Sequence, residues 1–198
     1  MIADNTDSSK DTKAVKIILI GDGGVGKTSL VQQFVHRKFS RIYKTTIGVD
    51  ITPLNTIITR TQKPIRFVLW DMSGQTHFKR FRSRFYSGTS GALVVYDLTS
   101  ANSYRNVQSW VKECRDNCHK KVPMVIVGNK ADLEDLQIKQ TRHPMSDEPE
   151  IPVLKTSAKE NSGVDTAFLN LFTKIIGAPV SKAPDHDSAS LTTHIPYD

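Results

Sequence analysis

The sequence predicts an α/β protein, a doubly wound sheet of mostly parallel strands with helices on both faces. Three observations point there. Near-continuous apolar runs of strand length recur along the chain, and they alternate with segments of helical periodicity. The composition, 38% hydrophobic and 24% charged over 198 residues, supplies one core for one domain and excludes wholesale disorder.

The elements follow in order. Val15–Ile20 is β-branched, apolar and closed by Gly21, a buried strand. Residues 28–36 read as a helix. Val49–Ile58 looks extended, but Pro53 inside it has no N–H for a ladder, so it is expected at a sheet edge. Residues 67–70, 92–96 and 124–127 are three further buried strands. Residues 103–118 carry Val107, Trp110, Val111 and Cys114 at spacings of three and four, an amphipathic helix. Val164–Ile176 repeats that pattern with Ala167, Phe168, Leu171, Phe172 and Ile175. Residues 1–13 and 178–198 are rich in Ser, Thr, Asp, Lys and Pro without periodicity and read as flexible tails around a domain at 14–177.

Lys and Arg number 27 against 20 Asp and Glu, a net charge of +7, which suits acidic or anionic partners and is silent about fold. The two cysteines, Cys114 and Cys118, are too few for a disulfide scaffold and share one helix, which reads as a reducing compartment. They sit beside His119, but no second cluster completes a four-ligand metal site. No apolar run is long enough for a membrane span, and the polar, acidic start is not a secretory signal. The final residues hold no cysteine for prenylation, and Ile2 argues against N-myristoylation. The expectation is a soluble, cytoplasmic monomer.

Gly21-Asp22-Gly23-Gly24-Val25-Gly26-Lys27-Thr28 satisfies G-x-x-x-x-G-K-[ST] between a strand and a helix, the context that motif requires. Its glycines allow successive backbone N–H groups to turn onto phosphate oxygens. The helix N-terminus adds partial positive charge and Lys27 a full one, while Thr28 offers a hydroxyl to Mg²⁺. This specifies a nucleoside triphosphate but not its base. Asn129-Lys130-Ala131-Asp132 follows the strand at 124–127. A carboxylate there can accept from guanine N1–H and the 2-amino group, a donor pair adenine lacks, and a mismatched base leaves a buried charge unpaired. Alone, the same four residues are equally a strand-ending turn.

Taken together, residues 14–177 resemble the Ras superfamily of small GTPases, most closely its Rab branch. The phosphate loop is followed in order by Thr45-Thr46-Ile47-Gly48, Trp70-Asp71-Met72-Ser73-Gly74-Gln75, Asn129-Lys130-Ala131-Asp132 and Thr156-Ser157-Ala158-Lys159. Thr-Ile-Gly-Val-Asp at 46–50 and Tyr96-Asp97-Leu98-Thr99 carry the Rab likeness. The resemblance implies a mixed, mostly parallel six-stranded sheet and a switch that binds GTP or GDP with Mg²⁺. It implies that Lys27 and the loop amides hold the β- and γ-phosphates, that Thr28 and Thr46 ligate Mg²⁺, and that Asp71 holds a metal-bound water. The Gly74 N–H would meet the γ-phosphate and Gln75 would orient the attacking water, so Gln75, Lys27 and Thr46 are the implied catalytic set. Phe39 would lie against the guanine, Lys130 would cover the ring, Asp132 would read the base, Asn129 would brace the loop, and the Ala158 N–H would meet the base oxygen. Gly21, Gly23, Gly24, Val25, Gly26, Ser29, Tyr43, Ser157 and Lys159 complete the implied nucleotide contacts. Hydrolysis in this superfamily is slow until a partner supplies an arginine, an effect of about 10³–10⁵ in rate, and the bare Gly23 leaves room for one. Effectors, an exchange factor and an activator are the implied partners. A module that binds guanine nucleotide without hydrolysing it is the competing reading.

Several positions depart from the family pattern. Met72-Ser73 replaces Thr-Ala, Thr76 stands where a Glu follows the glutamine, and Thr45 replaces a common Pro. None removes a phosphate or metal ligand. Pro144, Pro149 and Pro152 interrupt a stretch where the family places a helix, so that helix is expected to be short or absent. Charge is also uneven. Between His36 and Arg84 there are eleven Lys and Arg (37, 38, 41, 44, 60, 63, 66, 79, 80, 82, 84) against Asp50 and Asp71 alone. This segment is expected to present a basic face to an acidic partner or an anionic membrane surface, giving peripheral association without a prenyl anchor. No stacking-aromatic motif or zinc module supports nucleic-acid binding.

Overall fold

The computed structural model describes residues 14–42, 44–138, 144–145, 147–183 and 193–195. Eight strands form one sheet: β1 Val15–Ile20, β2 Val49–Ile58, β3 Pro64–Met72, β4 Gly91–Asp97, β5 Met124–Asn129, β6 Val153–Lys155, β7 Val180–Lys182 and β8 Thr193–Ile195. Their order is β6-β5-β4-β1-β3-β2-β7, with β8 also paired to β2. The pairs β1–β3, β1–β4, β4–β5 and β5–β6 are parallel, while β2 runs antiparallel to β3, β7 and β8. The sheet is therefore mixed, as expected, with two short strands beyond the six.

The apolar runs are continuous because the inner strands are buried on both faces. Side chains alternate along a strand, so Ile17 and Leu19 of β1 join one core and Ile18 and Ile20 the other. The first core packs under α1 (Lys27–His36) and α5 (Val164–Ile176), where Phe34 stacks on Phe168 at 4.1 Å and Phe67 on Phe172 at 3.8 Å. The second lies under α4 (Val107–Asn117), with Tyr86, Tyr96, Trp110 and Cys114. The single helix expected over 103–118 is in fact two pieces, α3 (Ala101–Arg105) and α4. They meet at Asn106, which leaves ideal helical geometry at φ −75°, ψ −9°. Ser100 caps α3 by accepting from the Ser103 N–H. Between Gln75 and Tyr86 the chain makes 3-10 turns at Thr76–Phe78 and Ser83–Phe85 around the short α2 (Lys79–Arg82). Among the described residues no helix lies between β5 and β6, as the prolines there imply.

Val49–Ile58 is not a bare edge. Its outer side pairs with β7 at Thr56–Ile58 and with β8 at Val49–Ile51. The stretch left unpaired on that side contains Pro53, whose missing N–H makes it the place where a ladder is least supported. Both added strands belong to the segment read from composition as a tail, and residues 1–13 lie outside the described residues. The chain leaves β1 for β3 on one side and reaches β4 on the other, so a crevice opens beyond the carboxyl end of β1. Every motif named above lies at that end.

Candidate functional site

A cleft of about 700 Å³ opens there. Gly23, Gly24, Gly26, Lys27, Thr28 and Ser29 form one wall; Phe39, Thr46, Gly74 and Gln75 lie across from them; Asn129, Lys130, Asp132, Ala158 and Lys159 close the far end. Within the loop Gly21 and Val25 are buried, and buried Ser157 donates to Asp132. Tyr43 lies outside the described residues.

The loop from Gly21 to Thr28 is shaped by close contacts. Gly26 precedes α1 at φ 97°, and a Cβ on it would come within 2.3 Å of Asn129 Nδ2. Lys27 is buried and its Nζ donates to the carbonyls of Gly21 and Asp22, both at 2.8 Å. Burial pushes its pKa down to about 8, against the pull of the Asp71 and Asp22 carboxylates. A polyanion laid on this loop would supply the charge that burial denies the ammonium. Gly74 rests directly on the loop backbone: a Cβ there would lie 2.3 Å from the Gly21 carbonyl and 2.5 Å from the Gly23 nitrogen. A Cβ on Gly23 would meet only Gln75 Cγ, at 3.9 Å, so that position is open and Gln75 is its neighbour.

Three oxygen donors converge beside Lys27. Thr28 Oγ1 donates to Asp71 Oδ2, Thr28 and Thr46 hydroxyls are 3.0 Å apart, and Thr46 Oγ1 lies 3.4 Å from the same carboxylate oxygen. Asp71 is buried, and its Oδ1 has no hydrogen-bond partner. Burial pushes this carboxyl up to about 6 although Lys27 and Thr28 oppose the shift. A hard divalent cation prefers such a set of hydroxyl and carboxylate oxygens, and the unpartnered Oδ1 offers a further oxygen to an ion or its water shell. The residues present fit Mg²⁺.

At the far end Asn129 Nδ2 donates to the Val25 carbonyl at 3.0 Å, while its Oδ1 accepts from Thr156 Oγ1 at 3.1 Å and the Ala158 N–H at 3.3 Å. One side chain thus braces the phosphate loop, as the resemblance implies, and engages the Ala158 N–H that was expected to face a base. Asp132 Oδ1 accepts from Ser157 Oγ at 2.6 Å, and Lys159 Nζ is 3.4 Å from Oδ2. Burial would raise this carboxyl, but the Ser157 and Lys159 partners outweigh it and hold the pKa below the usual carboxylate range. A buried carboxylate kept ionised at the mouth of a cleft is an acceptor for a paired N–H donor edge. Lys130, at φ 66°, is held by an ion pair with Asp97 at 2.7 Å.

Sequence reasoning missed a second layer behind the loop. Asp22 accepts from Asn106 Nδ2 at 2.8 Å and Trp110 Nε1 at 2.7 Å. The Arg82 guanidinium sits 4.4 Å over the Trp110 ring and bonds both oxygens of Glu113 at 3.0 and 3.1 Å. Its Nη1 donates to the carbonyls of Ser73 and Gln75 at 3.2 and 2.9 Å, and Tyr86 Oη donates to Glu113. The charge pattern along the chain places Arg82 with the basic face. Arg82 is 3% exposed, because its charge is spent inside the fold, whereas the other ten Lys and Arg of residues 36–84 are exposed. Only its partners, far off in sequence, could have revealed this.

The glycine loop, the oxygen cluster and the ionised Asp132 in one crevice define a P-loop nucleotide-binding protein of the small-GTPase class. The comparisons agree. The Ras family model matches residues 16–177. The chain is 37% identical to the Ras-related protein Rab-11A of Dictyostelium discoideum over 180 residues, which are 90% of this chain and 82% of that protein. It is 37% identical over 172 residues to the Ras-related protein RABA1e of Arabidopsis thaliana, 86% and 78% of the two chains. It is 33% identical over 180 residues to the Ras-related protein Rab-10 of Diplobatis ommata, 90% and 89%. The chain belongs to the Ras family, in its Rab branch, and is a small GTPase that hydrolyses GTP to GDP and phosphate.

Arg82→Ala leaves the half-buried Glu113 without its charge partner and the carbonyls of Ser73 and Gln75 without their donor. Denaturant unfolding is expected to lose about 3–5 kcal/mol of stability. A loss below about 1 kcal/mol, the scale of an exposed ion pair, would contradict this placement.

Proposed function

We propose that this protein is a GTP/GDP switch of membrane traffic, held with Mg²⁺ and timed by partner proteins. The observation that carries the reading is one cleft with the buried ammonium of Lys27 at one end and the ionised carboxylate of Asp132 at the other. Its relatives' names, Rab-11A and Rab-10, place them among the Rab proteins, and this chain takes its pathway class from them.

The residues divide the work. Lys27 and the amides of Gly23 to Thr28 take up the β- and γ-phosphate charge, and the N-terminus of α1 adds its dipole. Thr28, Thr46 and Asp71 would hold Mg²⁺, which would neutralise phosphate charge there. Asp132 accepts from the guanine donor edge, with Ser157 and Lys159 keeping it ionised and Asn129 fixing the distance between base and phosphate ends. Phe39 and Lys130 flank the ring, and Ser29 completes the enclosure. Gln75 orients the attacking water toward the γ-phosphate, a positioning role in a reaction that depends on alignment and charge compensation. Gly74 and Thr46 touch the reacting end, so loss of the γ-phosphate changes the two loops that carry them and with them the affinity for effectors. An activator that supplies an arginine beside Gly23 accelerates the reaction, and an exchange factor reloads the site.

The ten exposed basic side chains of residues 36–84 favour an anionic membrane surface as a docking partner. No helix among the described residues is long and apolar enough to cross a membrane.

Three measurements check this reading. Asp132→Asn is expected to weaken GTP by about 3 kcal/mol, on the order of 100-fold, and to favour xanthosine triphosphate, whose ring presents an acceptor at that point. Unchanged GTP affinity would remove the base-reading role. In single-turnover phosphate release, Gln75→Leu should be slower on the order of 100-fold with nucleotide affinity intact. Equal rates for the two proteins would return the chain to the non-hydrolysing module. Binding to phosphatidylserine vesicles should fall steeply between 50 and 500 mM salt, a roughly threefold change in Debye length. Binding insensitive to salt would exclude the basic face as the membrane contact.

A further inference from the structure

The only two cysteines of the chain touch each other, away from the nucleotide cleft. Cys114 and Cys118 Sγ atoms are 3.7 Å apart. Cys114 is fully buried in the core under α4, whereas Cys118 is half-buried and caps the helix with extended backbone at φ −88°, ψ 131°. The Cys118 N–H still donates to the Cys114 carbonyl at 2.9 Å. That one-turn register puts the two Cα atoms about 6 Å apart, inside the range a disulfide spans. Closing the gap to about 2 Å needs side-chain rotation at a helix terminus rather than a change in the helix interior.

The surroundings of Cys118 favour a sulfur anion. Lys16 approaches from β1, its Nζ donating to the Ser87 carbonyl at 3.0 Å and lying 3.7 Å over the Trp70 ring. Against them, the Cys118 thiol donates to the Tyr86 carbonyl at 3.9 Å, a contact that only the protonated sulfur makes. Thr89 contributes a buried hydroxyl with no regular hydrogen-bond partner, a donor available to the neighbouring sulfur. The Cys114 thiol, then Thr89 and the Lys16 charge, lower the Cys118 pKa against the effect of burial. Contact with Cys118 and burial raise that of Cys114. The pair is therefore asymmetric: one accessible, thiolate-prone sulfur and one buried, protonated sulfur in contact with it. Among the described residues no group of three His, Cys, Asp or Glu side chains is arranged to hold a metal, so thiol chemistry rather than metal binding fits the pair.

We propose that Cys114 and Cys118 form a peroxide-responsive dithiol site, Cys118 attacking and Cys114 resolving. The Cys118 thiolate attacks one oxygen of hydrogen peroxide, the O–O bond breaks, and the departing hydroxide takes up a proton to leave as water, giving a sulfenic acid. The Cys114 sulfur then attacks the Cys118 sulfur; the S–S bond forms, the S–O bond breaks, and the leaving hydroxide takes the Cys114 proton as a second water. Two thiols are oxidised by two electrons and one peroxide is reduced. The site is independent of the nucleotide reading. It connects to the cleft through Tyr86, whose carbonyl meets Cys118 and whose hydroxyl meets the Glu113 that holds Arg82.

The test uses the full chain, folded, with graded hydrogen peroxide, followed by alkylation and peptide mapping. Before oxidation Cys118 should alkylate about tenfold faster than Cys114 or more. Peroxide should remove two hydrogens to give an intramolecular Cys114–Cys118 disulfide, reversed by dithiothreitol, before methionine sulfoxide appears. Cys114→Ser should instead accumulate a Cys118 sulfenic acid trapped by dimedone, and Cys118→Ser should leave Cys114 unoxidised. If a substituted chain fails to fold, the wild-type peptide map alone decides. Disulfides only between chains, oxidation of Cys114 unslowed in Cys118→Ser, or methionine oxidation with both thiols still free would each overturn the proposal.

Discussion

The Asn129 side chain holds the site together. Its amide donates to the phosphate loop at Val25, and its oxygen accepts from Thr156 and Ala158 on the β6–α5 connection. Three loops from the ends of three parallel strands are thereby fixed as one surface. Each of these bonds is buried, where a lost partner costs the full desolvation of the group left behind. The distance from the glycine turn to Asp132, and hence the length of ligand the cleft accepts, depends on that single amide. Gly26 has no side chain for the same reason, since a Cβ would displace the Asn129 nitrogen.

Around this brace the protein gathers charges that are costly where they lie. Lys27 and Asp71 are both buried, and burial works against the ionised form of each. Their partial compensation by each other, by Thr28 and by the loop carbonyls leaves an unpartnered oxygen on Asp71. Perturbed groups clustered in a cleft are the signature of a site built for charged ligands. Arg82 performs the opposite task. Its guanidinium is saturated by Glu113 and by the carbonyls of Ser73 and Gln75, so it stiffens the segment that carries Gln75 while Trp110 beneath it anchors Asp22.

How much of this could be read from the sequence follows from the range of the interactions. The β1, β4 and β5 runs were legible because burial on both faces writes itself into consecutive residues. Phosphate loop, Asn129-to-Asp132 turn and Thr156-to-Lys159 loop were legible because each is contiguous, and the structure brings all three to one cleft. The break at Asn106 was not, since the apolar spacing of α4 continues the pattern of α3 without interruption. Nor were β7 and β8, three residues each, which owe their form to pairing with β2 rather than to their own composition. Asp22 looked like any loop residue because its partners Asn106 and Trp110 lie 84 and 88 positions away. Arg82 was misplaced on the surface for the same cause: a charge count along the chain cannot see Glu113, 31 residues on.

The central claim is that one cleft grips a guanine nucleotide by its phosphates at Lys27 and by its base at Asp132. The most direct check is the nucleotide released when the protein, purified with magnesium present throughout, is denatured and the supernatant is separated by chromatography. The account predicts GDP or GTP in near-equal molar amount to the protein. Adenine nucleotide in its place, or a protein that neither carries nor takes up guanine nucleotide, would contradict it.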